Sequence, residues 1–172
     1  MQTKTGTVME YKHIVHPFEA IFNAESEILI LGSLPSVKSR EHNFYYGHPQ
    51  NRFWRVLALI FGEDIPNSIL EKKHFLLNHN IALWDVIYSC DILGSSDSSI
   101  KNAVPNNIET ILSTANIKKI IANGNTAFSL YKKFWGNTIP IEAIKMPSTS
   151  PANAAWTLEK LVGEWQKITV KV

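Results

Sequence analysis

Apolar residues along this chain fall into short continuous runs separated by amphipathic stretches. Ile28-Leu29-Ile30-Leu31 has no polar face, which predicts a strand buried on both sides. Residues 81–87, 118–122 and 139–145 give three more runs of that kind. Residues 52–61 predict a helix closed by Gly62. Ser68 and Glu71 have the spacing of a capping box, and a helix over 69–78 follows. Asn106 and Glu109 repeat that spacing ahead of Ile108, Ile111, Leu112 and Ala115, which share one helical face. Residues 126–135 predict a helix ended by Gly136. Ser150, followed by Pro151, predicts the cap of a last helix whose buried stripe is Leu158, Leu161, Val162 and Trp165.

Four short strands alternating with helices predict an α/β fold. Its form is a three-layer α/β/α sandwich around a central four-stranded parallel sheet. Ligands of such sheets bind beyond the carboxyl ends of the strands. The polar segments stand where that rule needs them: 32–51, 89–99, 123–126 and 146–153 each follow one predicted strand. One site built from four loops is expected.

Composition narrows the class. A chain of 172 residues fits one domain, and 45% apolar against 19% charged residues marks it as globular. The net charge of +2 does not indicate a generally cationic nucleic-acid binder, although a local basic face is compatible with it. Cys90 is the only cysteine, which excludes an internal disulfide and any Cys-rich metal centre. The start, Met1 to Gly6, lacks the apolar stretch of a signal peptide, and no segment reaches the roughly 20 apolar residues of a membrane span. A cytoplasmic protein is expected. No complete dinucleotide or phosphate-loop fingerprint occurs, so neither a cofactor nor a metal is expected, and nothing in the sequence requires more than a monomer.

The densest chemistry lies in Tyr45-Tyr46-Gly47-His48-Pro49-Gln50-Asn51-Arg52-Phe53-Trp54. Aromatic rings beside His48, Asn51 and Arg52 make a wall for a flat ligand with polar edges. Asn51 is equally placed to cap the helix after it. His48 suits either a ligand bond or a packed imidazole. Phe53 and Trp54 are read as core, since Trp54, Leu57 and Phe61 share helical spacing. Ser148, Thr149 and Ser150 precede the predicted helix N-terminus, where hydroxyls and free N–H groups suit a phosphate or simply cap the helix. Asp85 and Asn123 end strands; Ser95, Ser96 and Ser98 lie in a polar loop; Lys38 and Arg40 are candidate phosphate contacts or ordinary surface charge. Ser33, His48 and Asp85 together contain the parts of an acyl-hydrolase triad, without the Gly-x-Ser-x-Gly elbow.

Three segments carry a resemblance. Gly32-Ser33-Leu34-Pro35-Ser36, His48-Pro49-Gln50-Asn51-Arg52-Phe53-Trp54 and Ser148-Thr149-Ser150-Pro151-Ala152-Asn153 resemble the uracil-DNA glycosylase superfamily. The second is similar to its mismatch-specific branch, the first and third to its hypoxanthine-DNA glycosylase (DNA-deoxyinosine glycosylase) branch. The likeness runs from about Glu27 to the last helix and leaves residues 1–26 as an extension of the single domain. Leu34 stands where the mismatch-specific branch carries asparagine, and Ser36 where many relatives carry glycine.

The resemblance implies a monofunctional enzyme that flips a deaminated base out of DNA and hydrolyses its N-glycosidic bond. It implies Asn51 as the catalytic residue, with Ser33, Leu34, Tyr46 and His48 around the base and Tyr46 stacking on it. It implies that Ser148, Thr149, Ser150, Pro151, Ala152 and Asn153 form the DNA-binding loop that fills the vacated stack. A non-catalytic binder of damaged DNA or nucleotides keeps the pocket without turnover.

Overall fold

The computed structural model describes residues 8–171; the start, Met1 to Gly6, lies outside it. The elements in chain order are β1 (Lys12–Val15), β2 (Ile28–Gly32), α1 (Val37–Glu41), α2 (Phe53–Phe61), α3 (Ile69–Asn78), β3 (Ile81–Asp85), β4 (Ile87–Ile92), β5 (Lys101–Pro105), α4 (Glu109–Leu112), β6 (Lys119–Asn123), α5 (Asn125–Trp135), β7 (Ala143–Met146) and α6 (Leu158–Trp165). β3, β2, β6 and β7 form, in that order, a four-stranded sheet in which every pair is parallel.

The apolar run of β2 has no polar face because both of its faces are covered. Ile30 packs into a cluster with Phe53, Leu57, Leu76, Leu161 and Trp165 from α2, α3 and α6. Leu29 and Leu31 pack on the other side with Ile111 and Tyr131 from α4 and α5. These are the three layers expected. The ends of α2 and α3 also follow their sequence signals. Gly62 takes the left-handed conformation, φ 66°, that closes α2. Ser68 Oγ accepts from Glu71 N–H at 3.0 Å while the Glu71 carboxylate accepts from the Ser68 N–H, completing the capping box.

Several boundaries differ from the sequence reading, each for a reason visible in the hydrogen bonding. The run 81–87 is not one strand. Asn106 Nδ2 donates to Asp85 O at 2.9 Å and to Ile87 O at 3.0 Å, fixing a corner at Val86. Asn106 is therefore not the cap of α4. Beyond the corner, β4 leaves the parallel sheet and pairs antiparallel with β1 and β5 in a second, three-stranded sheet. Asp91 and Ile92, expected in a loop, belong to that strand.

The run 139–145 forms a strand only from Ala143, because the Ile139 N–H is bonded to Trp135 O at 3.0 Å and Pro140 has no N–H to offer. Ser150 does not cap the last helix. Its Oγ accepts from Ala152 N–H at 3.2 Å in a turn, and α6 starts at Leu158 with Thr157 as its cap. Part of the N-terminal extension is built into the fold: β1 edges the second sheet, and Ile21 bridges to Leu83.

Candidate active site

The end of β3 and the loops after β2, β4, β6 and β7 meet around a cavity of about 640 Å³. Ser33, Leu34, Tyr46, His48, Asn51, Ser148, Thr149, Ser150, Pro151 and Ala152 line it, with Asp85 and Asn123. Of the expected site residues only Asn153 stands outside this lining, in the adjoining cleft. Serines 95 and 96 and Lys38 border the mouth; Arg40 does not.

Asn51 is held by its carbonyl oxygen. Oδ1 accepts from Phe53 N–H at 2.9 Å and from Thr149 Oγ1 at 3.0 Å. A backbone N–H can only donate, which fixes which end of the amide faces it. Both lone-pair directions of Oδ1 are used, and Nδ2 has no partner among the described residues. Asn51, one residue before the N-cap Arg52, therefore satisfies the first N–H of α2 and still has two unpartnered N–H donors beside the cavity.

Thr149 is fully buried, and its hydroxyl also accepts from Asn123 Nδ2 at 3.1 Å. Its backbone N–H donates to Asn123 Oδ1 at 3.1 Å. The loop after β7 is thus bonded to the end of β6 on one side and to Asn51 on the other. Gly124 permits the approach: a Cβ there would lie 3.1 Å from Ser148 Cβ, at a φ of 96°.

Arg52 does not point at a ligand. Its guanidinium donates to Ser150 O at 2.8 Å, to Asn153 O at 3.1 Å and to Trp156 O, and its own N–H donates to Thr149 O at 3.1 Å. One planar side chain braces the turns between β7 and α6. Asn153 Nδ2 donates to Ser148 O at 3.0 Å and closes the same turns from inside.

Tyr46 stacks on Phe53 with ring centroids 4.0 Å apart at 22°, and it borders the cavity. Its φ of 52° is rare for a bulky residue. Its hydroxyl is buried with no partner at full hydrogen-bond geometry among the described residues, although the Asn123 side chain lies beside it. Burial, with the Asp85 charge nearby, pushes the phenol far above its ordinary value, so it remains a neutral hydroxyl. His48 Nδ1 accepts from Gln50 N–H at 3.0 Å, which leaves its Nε2 side for other partners. Ser33 Oγ donates to Asp97 Oδ2 at 3.4 Å. No imidazole bonds Ser33, and Asp85 bonds His16, so the acyl-hydrolase triad is not assembled.

The model of the uracil DNA glycosylase superfamily matches residues 20–168. The chain belongs to that superfamily. It is 35% identical over 153 residues to a hypoxanthine DNA glycosylase of Methanosarcina acetivorans, covering 88% of this chain and 95% of that protein. It is 38% identical over 109 residues to a hypoxanthine DNA glycosylase of Methanosarcina barkeri, covering 62% of this chain and 69% of the relative. A solution NMR structure from Methanosarcina acetivorans, described as a candidate uracil DNA glycosylase, superposes with a TM-score of 0.74 at 34% identity, over 89% of this chain and 94% of that one.

Within this glycosylase framework three residues carry no legible signal in the sequence. Arg52 gives no hint that it braces a distant loop, because its acceptors are backbone carbonyls about a hundred positions away. His16 lies before the family match and reaches Asp85 across 69 residues. Asp97 borders the cavity from a short helical turn, in a segment that reads only as a Ser-rich loop.

Proposed function

We propose that this protein is a monofunctional DNA glycosylase that removes hypoxanthine, the deamination product of adenine, and leaves an abasic site. The observation that carries the reading is the Asn51 amide. Its oxygen is saturated by the fold, and its two N–H donors face a cavity bordered by an aromatic ring. The cavity stands at the carboxyl ends of the parallel strands, and two similar proteins bear the name hypoxanthine DNA glycosylase.

The chemistry follows from the donors. In hydrolysis the bond between the sugar C1′ and the base nitrogen breaks, its electron pair leaves with the base, and a water oxygen bonds C1′. An amide N–H cannot take a proton from water, so Asn51 Nδ2 serves the departing base, where negative charge builds. One pre-aligned donor to such charge contributes about 3–4 kcal/mol. A base must leave the stack to reach the cavity. Tyr46 then offers its open face for stacking, since Phe53 covers the other. The turns braced by Arg52, from Ser148 to Asn153, lie beside the mouth, where the gap in the duplex would be filled and a neighbouring phosphate met.

The test is alkaline strand cleavage of labelled duplexes bearing one inosine, uracil or xanthine. Inosine cleavage by the wild type that is lost in Asn51→Ala is expected. Uracil cleavage alone keeps the superfamily and moves the base preference. Tight binding with no cleavage of any substrate supports the non-catalytic binder instead.

A further inference from the structure

The glycosylase reading leaves open what selects a deaminated base, and the floor of the cavity holds a group suited to it. Asp85 ends β3 and is 3% exposed. His16 Nε2 donates to its Oδ2 at 2.7 Å, and the His16 side chain is itself 1% exposed. The imidazole cannot swing: Nδ1 lies 2.9 Å from Phe18 O, and the rings of Phe18 and Tyr45 stand 5.7 Å and 5.9 Å from it. Asp85 Oδ1, by contrast, accepts no hydrogen bond from any described residue. It presses against Gly32, where a Cβ would come within 2.3 Å of it, and Asp85 borders the cavity. Asp85 Oδ1 is thus a carboxylate oxygen that meets the cavity and has no donor among the described residues, which leaves it open to an N–H supplied by a ligand.

We propose that Asp85 Oδ1 accepts the ring N–H that deamination creates, and that His16 is the positioning residue that aims it. This rests on the glycosylase reading. The sugar stays with the DNA backbone at the mouth, so the floor meets the edge of the base farthest from the glycosidic bond. In hypoxanthine that edge carries N1–H beside a carbonyl; in uracil it carries N3–H beside a carbonyl. In adenine and cytosine the same ring nitrogen carries a lone pair, which the carboxylate repels. Guanine and thymine also bear a ring N–H there, so Asp85 refuses adenine and cytosine only, and the amino and methyl groups of the other two are left to the cavity walls. A site built to bond an N–H rejects the analogue that lacks it far more strongly than an apolar pocket rejects a methylene.

The test uses single strands, which remove the cost of unpairing. Each carries 2′-fluoroarabino-inosine, whose glycosidic bond resists cleavage, or its N1-methyl derivative, which has no N–H. Wild type is expected to bind the first over the second by about 100-fold or more. Asp85→Ala should bring the ratio close to one, losing affinity for inosine and gaining it for the methylated base through the space opened. Asp85→Asn keeps the shape and an acceptor for His16 but turns an amide N–H toward the base, so its ratio should collapse in a protein with wild-type thermal stability. His16→Ala should lower the ratio about tenfold, with partial recovery in His16→Asn. An unchanged ratio in both Asp85 variants overturns the assignment, and an unchanged ratio in His16→Ala overturns the positioning role. If wild type binds neither strand better than an unmodified one, the glycosylase reading falls, and this one with it.

Discussion

The Thr149 hydroxyl stands between two asparagines, donating to Asn51 Oδ1 at 3.0 Å and accepting from Asn123 Nδ2 at 3.1 Å. One buried oxygen thereby ties the loop after β7 to the end of β6 and to the start of α2. It also decides what Asn51 can do. With its carbonyl saturated, the side chain is a donor toward the cavity and nothing else.

Capping and catalysis use different ends of the Asn51 amide, so they are separable. Asn51→Ala removes both and should cost about 0.5–2 kcal/mol of stability. Asn51→Ser keeps an oxygen that can cap α2 and should recover most of that loss. Both variants should lose roughly 100- to 1,000-fold in single-turnover excision. Excision by Asn51→Ser close to wild type would show that the free N–H groups are not used.

Thr149→Val replaces the bridging hydroxyl by a methyl of nearly the same shape. Asn123 Nδ2 is then left without its acceptor, which should cost about 1–3 kcal/mol in denaturant unfolding. Excision should fall in kcat more than in KM, because Asn51 loses the bond that sets its orientation while the stacking surface is untouched. A fall confined to KM would place the effect in DNA binding.

Much of this arrangement is legible in the pattern of residues alone. The four apolar runs carry the parallel sheet because strands covered on both faces have no polar side to show. The capping box of Ser68 and Glu71 works because it is local. What is not legible depends on partners far along the chain. Asn106 has the spacing of a cap, yet its amide holds the Val86 corner, and no pattern within a few residues announces that. The run 81–87 reads as one strand because burial on both sides of a corner gives the same apolar string. Ser150 and Pro151 have the composition of a helix start, but the Arg52 guanidinium holds the carbonyls of 150 and 153 in turns. The cavity residues are marked by loop position and motif; His16 and Arg52, which hold them, are not.

Arg52 acts at a distance from the chemistry. Lysine keeps the charge but offers no planar fork to several carbonyls at once. Arg52→Lys should therefore loosen residues 149–156, seen as faster proteolysis there and a stability loss of about 1.5–3 kcal/mol. Affinity for DNA should drop, while excision at saturating substrate changes less. An equal fall in both would tie Arg52 to the reacting groups.

Glu71 gives a pH signature of the fold. Backbone N–H groups of Asn67 and Ser68 bond its carboxylate and lower its pKa from the ordinary glutamate value. A depressed carboxylate stabilises the folded state above its unfolded pKa and loses that contribution as pH falls through the folded value. Glu71→Ala should therefore have a lower Tm than wild type at neutral pH. The gap should close as pH falls below about 4.3 toward the lowered folded value. A gap that persists in full acid would assign the effect to helix propensity instead.

Tyr46 separates ring from hydroxyl. The ring lies on Phe53 and leaves one face for the base, whereas the hydroxyl is buried with no partner at full hydrogen-bond geometry among the described residues. Removing an unpartnered buried hydroxyl relieves a desolvation cost, so Tyr46→Phe should be at least as stable as wild type. It keeps the stacking face and should excise inosine at close to the wild-type rate. Tyr46→Ala loses the face and should bind an inosine strand more weakly by about 1–3 kcal/mol, the usual contribution of base–aromatic stacking. Tyr46→Gly adds relief of the backbone, since φ of 52° is favourable for glycine. It should match alanine in binding and exceed it in Tm. Impaired excision in Tyr46→Phe would move the hydroxyl into contact with the base and make it a donor to the carbonyl beside the N–H that Asp85 accepts.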